Sequence, residues 1–270
     1  MFFPEPLFKN IQTMERSYIM ADNTNRINIR GVYFNNTTLD GTVDALLKGV
    51  REKKQTALYT PNSEIVQACI ESPELYDVIN SAELIIPDGI GVVKAANILG
   101  TPFGAGKIAG CEVGEAFIRR LAETDHTVYL LGGKPGVAEQ AAQKLSEKYP
   151  GIRFAGCRDG YFKKEGEEND AVIAQVNESG ADVLFVCLGA PAQEKWIHQN
   201  RAKLTTVNAM LGLGGSLDVY AGIVNRAPKI FIKLGLEWFY RLLREPWRFK
   251  RMLKLPKFYF GTWKYKITKK

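Results

Sequence analysis

The chain has 270 residues, of which 46% are hydrophobic and 24% are charged, and its formal net charge is +7. This is ordinary globular composition, and it supports one large domain or one domain with an appended segment. The four cysteines are scattered without a C-x-x-C pair and there are only two histidines, so the sequence indicates neither a disulfide framework nor a zinc site, and the reducing cytosol is favoured. No run of about 18 apolar residues exists, so the sequence predicts no transmembrane helix.

The first part of the chain, residues 1–22, starts with "MFFPEPLFKN" and lacks the basic start and long apolar core of a signal peptide. We expect it to be a disordered tail. Residues 23–225 then contain seven short apolar or β-branched runs, which predict strands. These runs cover residues 27–34, 56–59, 84–86, 127–131, 152–155, 183–188 and 207–211.

Helical patterns lie between most of these runs. They cover residues 38–52, 62–70, 92–99, 112–123, 136–149, 167–178 and 192–203. Strands that alternate with helices of this length predict an α/β fold, Rossmann-like, with a mostly parallel sheet and helices on both faces. The run "VLFVCLG" at 183–189 is typical of a parallel strand that is buried on both sides.

The composition changes near residue 225. Residues 226–270 contain 14 Lys and Arg against two Asp and Glu, whereas the first 225 residues contain 22 against 27. A basic, aromatic segment of one or two helices attached to a mildly acidic body indicates an anionic partner, either a membrane surface or nucleic acid. Pro246 is expected to start a new turn within this segment.

Polar, glycine-rich loops follow almost every predicted strand. They read "TPNSE" at 60–64, "PDGIG" at 87–91, "GGKPG" at 132–136, "GCRDGYF" at 156–162, "GAPAQE" at 189–194 and "GLGGSLD" at 212–218. Ligands of parallel sheets bind outside the carboxyl ends of the strands, so six such loops predict one site. The fingerprint for dinucleotide binding and the Walker loop are both missing, which argues against redox and ATP chemistry.

Each loop residue also has a local explanation. Asp88 could be a catalytic carboxylate or the N-cap of the next helix. Gly132 and Gly133 could offer backbone N–H groups to a diphosphate, but an ordinary turn accounts for them at least as well. Tyr161 could stack on a base, or it could be a buried tyrosine whose hydroxyl is satisfied.

The combination of motifs is more specific than any single loop. The stretches "TPNSEI", "IPDGIGVV", "LLGGKPGVAE", "LGAPAQEKWI", "GLGGSLDVYAG" and "GLEWFYRLLREPWRFKR" occur in order between residues 28 and 251 and resemble the WecG/TagA/CpsF glycosyltransferases. The resemblance implies an inverting transferase that needs no metal and no cofactor. Its donor would be a UDP-linked sugar of the N-acetylmannosamine type, and its acceptor would be polyprenyl-diphosphate-linked N-acetylglucosamine at the cytoplasmic face of the membrane.

Residue roles follow from the resemblance and from the loops. The resemblance assigns Asp88, as general base, and Thr60 to the catalytic pocket. Three weaker hypotheses concern substrate contacts. Gln193 could bind a hydroxyl or a phosphate of the substrate. Asp218 could accept a hydrogen bond from uracil or ribose, and Tyr161 could stack on the uracil ring. Asn62 could add an amide contact, or it could cap the helix that follows.

The basic segment supplies the remaining candidates. Arg241, Arg248 and Arg251 are favoured by the resemblance for stabilising the diphosphate, since positioned arginines can offset the charge of a departing UDP. Arg244 has the same spacing but could equally be solvated. The interleaved aromatic residues suit the interfacial layer of a membrane, so we expect a peripheral anchor that also completes the site. Lys107 stands where the family often has Arg, and a lysine loses the bidentate fork.

Two other interpretations stay open from the sequence. The donor could be the uronic acid of N-acetylmannosamine, used in another surface polysaccharide pathway. Alternatively, the basic aromatic segment could clamp single-stranded nucleic acid in a protein without enzymatic activity. Charge confined to one terminal segment and six otherwise unused loops argue against the second. The segment could also pack on another subunit in a homo-oligomer.

Overall fold

The computed structural model describes residues 25–225, 227–228, 230–231, 235–244, 246, 249 and 253–268. The predicted tail, 1–22, lies outside the described residues. The predicted division of the chain at residue 225 stays a prediction.

A six-stranded, all-parallel sheet forms the centre of the fold. Its strands are β3 (Thr56–Tyr59), β4 (Leu84–Ile85), β5 (Thr127–Gly132), β6 (Arg153–Arg158), β7 (Val183–Cys187) and β8 (Ala209–Gly212). Their spatial order is β4-β3-β8-β7-β5-β6. The helix after β3, Ser63–Glu71, packs in one hydrophobic cluster and the helix after β8, Ser216–Tyr220, packs in the other, so the connections leave these neighbouring strands on opposite faces of the sheet. Such a point is where α/β sheets bind ligands.

A separate hairpin precedes this sheet. Strands β1 (Arg26–Ile29) and β2 (Val32–Asn35) pair antiparallel, so the prediction of one strand over 27–34 was wrong. The turn consists of Arg30 and Gly31, whose φ angles are 52° and 99°. Two positive φ angles are what a two-residue hairpin turn requires, and Gly31 takes that conformation without strain.

Helices connect and cover the strands. They are α1 (Leu39–Arg51), α2 (Ser63–Glu71), α3 (Pro73–Asn80), α4 (Ile90–Leu99), α5 (Gly110–Leu121), α6 (Val137–Lys148), α7 (Glu167–Glu178), α8 (Ala192–Asn200), α9 (Ser216–Tyr220), α10 (Glu237–Arg244) and α11 (Lys254–Thr268). Each of the seven predicted helices is present, and α8 is followed by a 3₁₀ turn at Arg201–Lys203. None of the helices in the described part of the chain is long and apolar enough to cross a membrane.

The strands bury side chains on both faces of the sheet. In β7, Leu184 and Val186 belong to one hydrophobic cluster, whereas Val183 and Phe185 belong to another. The first cluster includes apolar residues of α2, α3, α4, α7 and α8, and the second includes those of α1, α5, α6 and α9. Because successive side chains of a strand point to opposite faces of the sheet, each strand contributes residues to both clusters. The predicted α/β fold with helices on both faces is confirmed.

The C-terminal helix α11 packs against α2 and α4. Phe258 and Thr262 are fully buried in this contact, and Phe258 joins the first cluster. At the rim, Lys257 Nζ lies 2.7 Å from Glu71 Oε1. Residues one turn apart share a helix face, so the buried pair defines an inner face of α11. Part of the basic segment is thus joined to the body by apolar packing.

Replacing Phe258 with alanine should destabilise the protein by about 3 kcal/mol, because it removes a fully buried ring and leaves a cavity between α11 and the body. Urea unfolding measures the free energy of unfolding. Phe260→Ala is the matched control, since that ring on the same helix is 77% exposed and should change the free energy little. Equal effects of the two substitutions would show that α11 does not pack as described.

Candidate active site

The loops that follow the strands are joined to one another along the carboxyl edge of the sheet. Ile86 N donates to Tyr59 O at 3.0 Å, which ties the ends of β4 and β3. Further along the edge, Gly133 N donates to Cys187 O at 3.3 Å, and Gly160 N donates to Gly133 O at 2.9 Å. All six predicted loops therefore lie on one edge, as the parallel topology requires.

Asp88 follows β4 in this edge and is half-buried. Helix α4 begins at Ile90 with Gly89 in the N-cap position, so Asp88 is not the N-cap residue. The preceding carbonyl, Pro87 O, accepts a hydrogen bond from Ile108 N at 3.0 Å. This bond connects the Asp88 loop to the segment between α4 and α5.

Thr60 and Asn62 lie beside Asp88, at the end of β3. Thr60 Oγ1 donates to Gly212 O at 3.3 Å, across the crevice between β3 and β8. Asn62 Oδ1 accepts from Glu64 N and Ile65 N at 3.0 and 3.1 Å, so the predicted capping of α2 is present. A Cβ placed on Gly89 would lie 3.8 Å from Asn62 Cβ, so the two loops are in contact. The loops that carry Thr60 and Asp88, the two residues assigned by resemblance, therefore lie side by side.

Gln193 lies in the first turn of α8 and is buried. Its Oε1 accepts from Gly214 N at 2.8 Å, and its Nε2 donates to Glu194 Oε1 at 2.8 Å. The amide also lies against Gly212, where an added Cβ would come 3.1 Å from Nε2. Gln193 is therefore held between α8 and the loop that follows β8.

Glu194 is a residue that the sequence did not single out. Its side chain is 1% exposed, and Oε2 has no hydrogen-bond partner among the described residues. Burial raises the pKa of this carboxyl to about 7 and outweighs the hydrogen bond from Gln193. In sequence, "AQEK" has the composition of a solvated helix start, so no signal in the chain marked this glutamate as buried.

The glycine loop after β5 makes a close approach to β7. Gly132 has φ of 135°, and a Cβ there would collide with Cys187 O, so no larger residue fits. Tyr161 follows β6 and is 70% exposed. It is thus an exposed rather than a buried tyrosine. Strands β6 and β4 are the two edges of the sheet, about 24 Å apart at ~4.8 Å per strand, so Tyr161 is not brought next to Asp88.

Asp218 lies in α9, directly after the loop that follows β8, and is half-buried. Its charge contributes to raising the pKa of the Cys187 thiol to about 12, although burial of the thiol is the larger cause. Asp218 is therefore close to the end of β7, in the middle of the carboxyl edge. Within the described residues, no three His, Cys, Asp or Glu side chains are grouped so that they could hold a metal ion.

The C-terminal segment reaches the Asp88 side of the site. Lys107 Nζ lies 2.7 Å from Glu237 Oε2 in α10, and both side chains are mostly buried. A Cβ on Gly235 would lie 3.2 Å from Ile90 Cγ1, at the start of α4. Arg241 is in α10, where Arg244 is exposed, whereas Arg248 and Arg251 lie outside the described residues. From the sequence, Lys107 is considered only as a phosphate contact, and its ion pair with Glu237 is not predicted.

The fold is a Rossmann-like α/β sheet, a class in which ligands bind at the carboxyl ends of the parallel strands. The profile of the "Glycosyl transferase WecG/TagA/CpsF family" matches residues 27–270. The chain belongs to this family, and it is a glycosyltransferase.

Three characterised relatives share the name N-acetylglucosaminyldiphosphoundecaprenol N-acetyl-beta-D-mannosaminyltransferase. The protein of Bacillus subtilis (strain 168) is 38% identical over 231 residues, which are 85% of this chain and 88% of the relative. That of Bacillus spizizenii (strain ATCC 23059 / NRRL B-14472 / W23) is 38% identical over 207 residues, which are 77% of this chain and 78% of the relative. That of Staphylococcus aureus (strain MW2) is 37% identical over 243 residues, which are 88% of this chain and 92% of the relative.

Glu194 should make the protein less stable as the pH rises from about 4.5 to 7. In this window the folded protein keeps a proton that the unfolded chain has released, so each increase in pH favours unfolding, by about 3 kcal/mol in total. The glutamine in Glu194→Gln cannot ionise, so this variant should not show the part of the pH-dependent loss of stability that Glu194 causes. Urea unfolding of both proteins at pH 5, 6, 7 and 8 measures it. Identical slopes in the two proteins would show that the carboxyl does not titrate in this window.

Proposed function

We propose that the protein transfers N-acetylmannosamine from UDP to N-acetylglucosamine linked to undecaprenyl diphosphate, with a β-1,4 linkage, in the synthesis of a teichoic acid linkage unit. The observation that carries this proposal is the 37–38% identity, over most of the chain, to relatives named for such a reaction. The location of Asp88, Thr60 and Asn62 at one end of the strand edge supports it.

The proposed reaction is a direct displacement with Asp88 as general base. The acceptor hydroxyl oxygen attacks the anomeric carbon, the bond from that carbon to the diphosphate oxygen breaks, and UDP leaves with the electron pair. Attack from the opposite face inverts the anomeric centre. The hydroxyl proton passes to Asp88, a contribution typically worth about 10²–10⁴-fold.

Substrate contacts are proposed along the same edge. Thr60 orients the sugar or the acceptor through its hydroxyl. Asn62 uses its carbonyl oxygen in capping, so its Nδ2 group is the one proposed to face substrate. Gln193 has a second Nε2 hydrogen that its bond to Glu194 does not use, and this is the donor proposed for a substrate oxygen.

The donor nucleotide is proposed to bind towards the centre and far side of the edge. There, Gly132 and Gly133 offer backbone N–H groups to the diphosphate, Asp218 accepts from uracil or ribose, and Tyr161 stacks on uracil. Exposure of the Tyr161 ring is compatible with stacking, because an exposed ring can still take a partner on its face.

Stabilisation of the departing diphosphate is assigned to cations, without a metal ion. Arg241, Arg248 and Arg251 are the proposed residues, since fixed charges aimed at a developing anion lower its energy. Contact of α10 with the Asp88 side through Glu237 and Gly235 supports a role for this segment in the site. The Lys107 ammonium lies there too, held by Glu237.

A peripheral location on the inner face of the cell membrane follows from the lipid-linked acceptor, and α11 offers a surface for it. Phe260, Trp263 and Ile267 are exposed, and their spacing puts them on one face at 100° per residue. The buried pair, Phe258 and Thr262, lies on the opposite face. Lys264 and Lys266 flank the exposed stripe, a combination that suits an anionic interface.

Asp88→Asn should lower turnover by about 10²–10⁴-fold, because the amide cannot accept the proton of the attacking hydroxyl. UDP release from UDP-N-acetylmannosamine, with a short-chain lipid diphosphate N-acetylglucosamine acceptor and EDTA present, measures it. Asp77→Asn, an exposed change on α3, is the control and should have no effect.

The same assay can overturn the proposal. Near-normal turnover of a folded Asp88→Asn protein would remove Asp88 from the role of base. Release only with the uronic acid donor would replace the proposed donor, and no acceptor-dependent release with either donor would remove the transferase proposal for these substrates.

The double substitution Phe260→Ser and Trp263→Ser should weaken binding to anionic vesicles by about tenfold or more, since each ~1.4 kcal/mol of lost apolar burial is a factor of ten. Sedimentation with vesicles containing anionic phospholipid measures binding. Tyr33→Ser, which removes an exposed aromatic ring in β2, is the control. Undiminished binding of the double variant would show that α11 is not the membrane face.

A further inference from the structure

One buried acid beside the proposed substrate contacts has no part in the mechanism above. Glu194 is the single Asp or Glu that is fully buried among the described residues. Its backbone carbonyl accepts a hydrogen bond from Tyr59 OH at 3.2 Å, so it also touches β3, the strand that Thr60 follows. The residue thus stands directly behind the catalytic edge of β3.

The bonds around Gln193 determine the orientation of its amide. Gly214 N can only donate, so the amide atom that faces it at 2.8 Å must be the acceptor, Oε1. The other amide atom is then the donor Nε2, which faces Glu194 Oε1 at 2.8 Å. Glu194 supplies an acceptor that favours this orientation over the flipped one, in which the amide would present a donor to Gly214 N–H.

A single residue, Gly212, lies between the Gln193 amide and Thr60 and contacts both. Gly212 packs its Cα against the Gln193 amide, and its carbonyl oxygen accepts a hydrogen bond from Thr60 Oγ1 at 3.3 Å. The turn that follows, at Gly214, is held by Gln193 Oε1. A shift of the amide therefore moves both the end of β8 and the partner of the Thr60 hydroxyl.

We propose that Glu194 is a positioning residue, whose buried carboxyl holds the Gln193 amide in place and through it the turn after β8 and the Thr60 hydroxyl. This inference rests on the proposed transferase function for its effect on rate. It does not depend on that function for its structural part, the orientation of Gln193.

The energetic cost of Glu194 agrees with a functional role. A buried oxygen without a partner costs folding free energy, and an apolar side chain of similar length would avoid that cost. Its raised pKa means that the neutral acid is well populated near pH 7, and Oε1 accepts from Gln193 in either protonation state. Such costs are concentrated where a protein needs a particular polar group.

The test compares three substitutions in the full chain. Glu194→Met removes the acceptor at similar length and should lower kcat/KM by about 10–100-fold, since a misplacement of 1 Å has effects of that size. Glu194→Gln keeps a carbonyl acceptor and should stay within about threefold of the unaltered protein. Lys195→Met, next on α8 and partly exposed, is the matched control and should leave kcat/KM unchanged.

A double-mutant cycle separates positioning from a general structural effect. If Glu194 acts through Gln193, adding Glu194→Met to Gln193→Ala should change kcat/KM by no more than about twofold, because the interaction is already lost. If the double variant instead lost kcat/KM by the product of the two single-variant losses, the residues would act independently, which would overturn the proposal. So would a Glu194→Met protein of unaltered rate, or a folded Glu194→Gln protein as slow as Glu194→Met.

Hydrogen exchange gives a measurement that needs no enzymatic reaction. The Gly214 amide hydrogen should exchange at least about tenfold faster in Glu194→Met than in the unaltered protein, and not in Glu194→Gln, because its acceptor becomes less fixed. An unaltered Gly214 exchange rate in Glu194→Met would overturn the proposal. If the unaltered protein shows no transfer, the proposed function fails, and this exchange measurement alone decides the positioning role.

Discussion

The sheet is parallel and covered by helices on both faces, and this constraint decides where chemistry can occur. Each strand alternates its side chains between two cores, as Leu184 and Phe185 do in β7. No face is left for a substrate, so polar groups can meet one only where the strands end. The carboxyl edge therefore collects Asp88, Thr60 and Gln193, and the bonds between neighbouring loops hold these residues in a fixed relation.

Much of this arrangement is readable from the sequence because it depends on periodicity and on loop composition. Short apolar runs predict the parallel strands, helical periodicity predicts seven helices, and glycine and polar residues at the strand ends predict where a site would lie. The hairpin turn at Arg30 and Gly31 escaped prediction, since an apolar run continues on both sides and arginine is not a usual turn residue. Helix α3 escaped because it is only two turns long and follows α2 almost directly.

Other features depend on contacts between distant segments and have no local signal. Glu194 has the sequence context of a solvated residue at a helix start, and its burial results from the packing of α8 on β7 and β8. The basic segment reads as a solvated or membrane-bound appendage. Composition could not reveal that Phe258 enters the first cluster, because that depends on the surface which α2 and α4 present together. The roles assigned to individual site residues remain predictions.

The two helices of the C-terminal segment are attached by different forces. Helix α11 is held by apolar burial of Phe258, which salt does not screen. Helix α10 is joined to the Asp88 side by the ion pair of Glu237 with Lys107 and by contact of Gly235 with Ile90. An ion pair that is partly open to solvent contributes about 1 kcal/mol or less, and it weakens as salt is added. The described contacts thus join α11, whose outer face carries Phe260 and Trp263, to the body by apolar packing, and they join α10 to the Asp88 loop partly by charge.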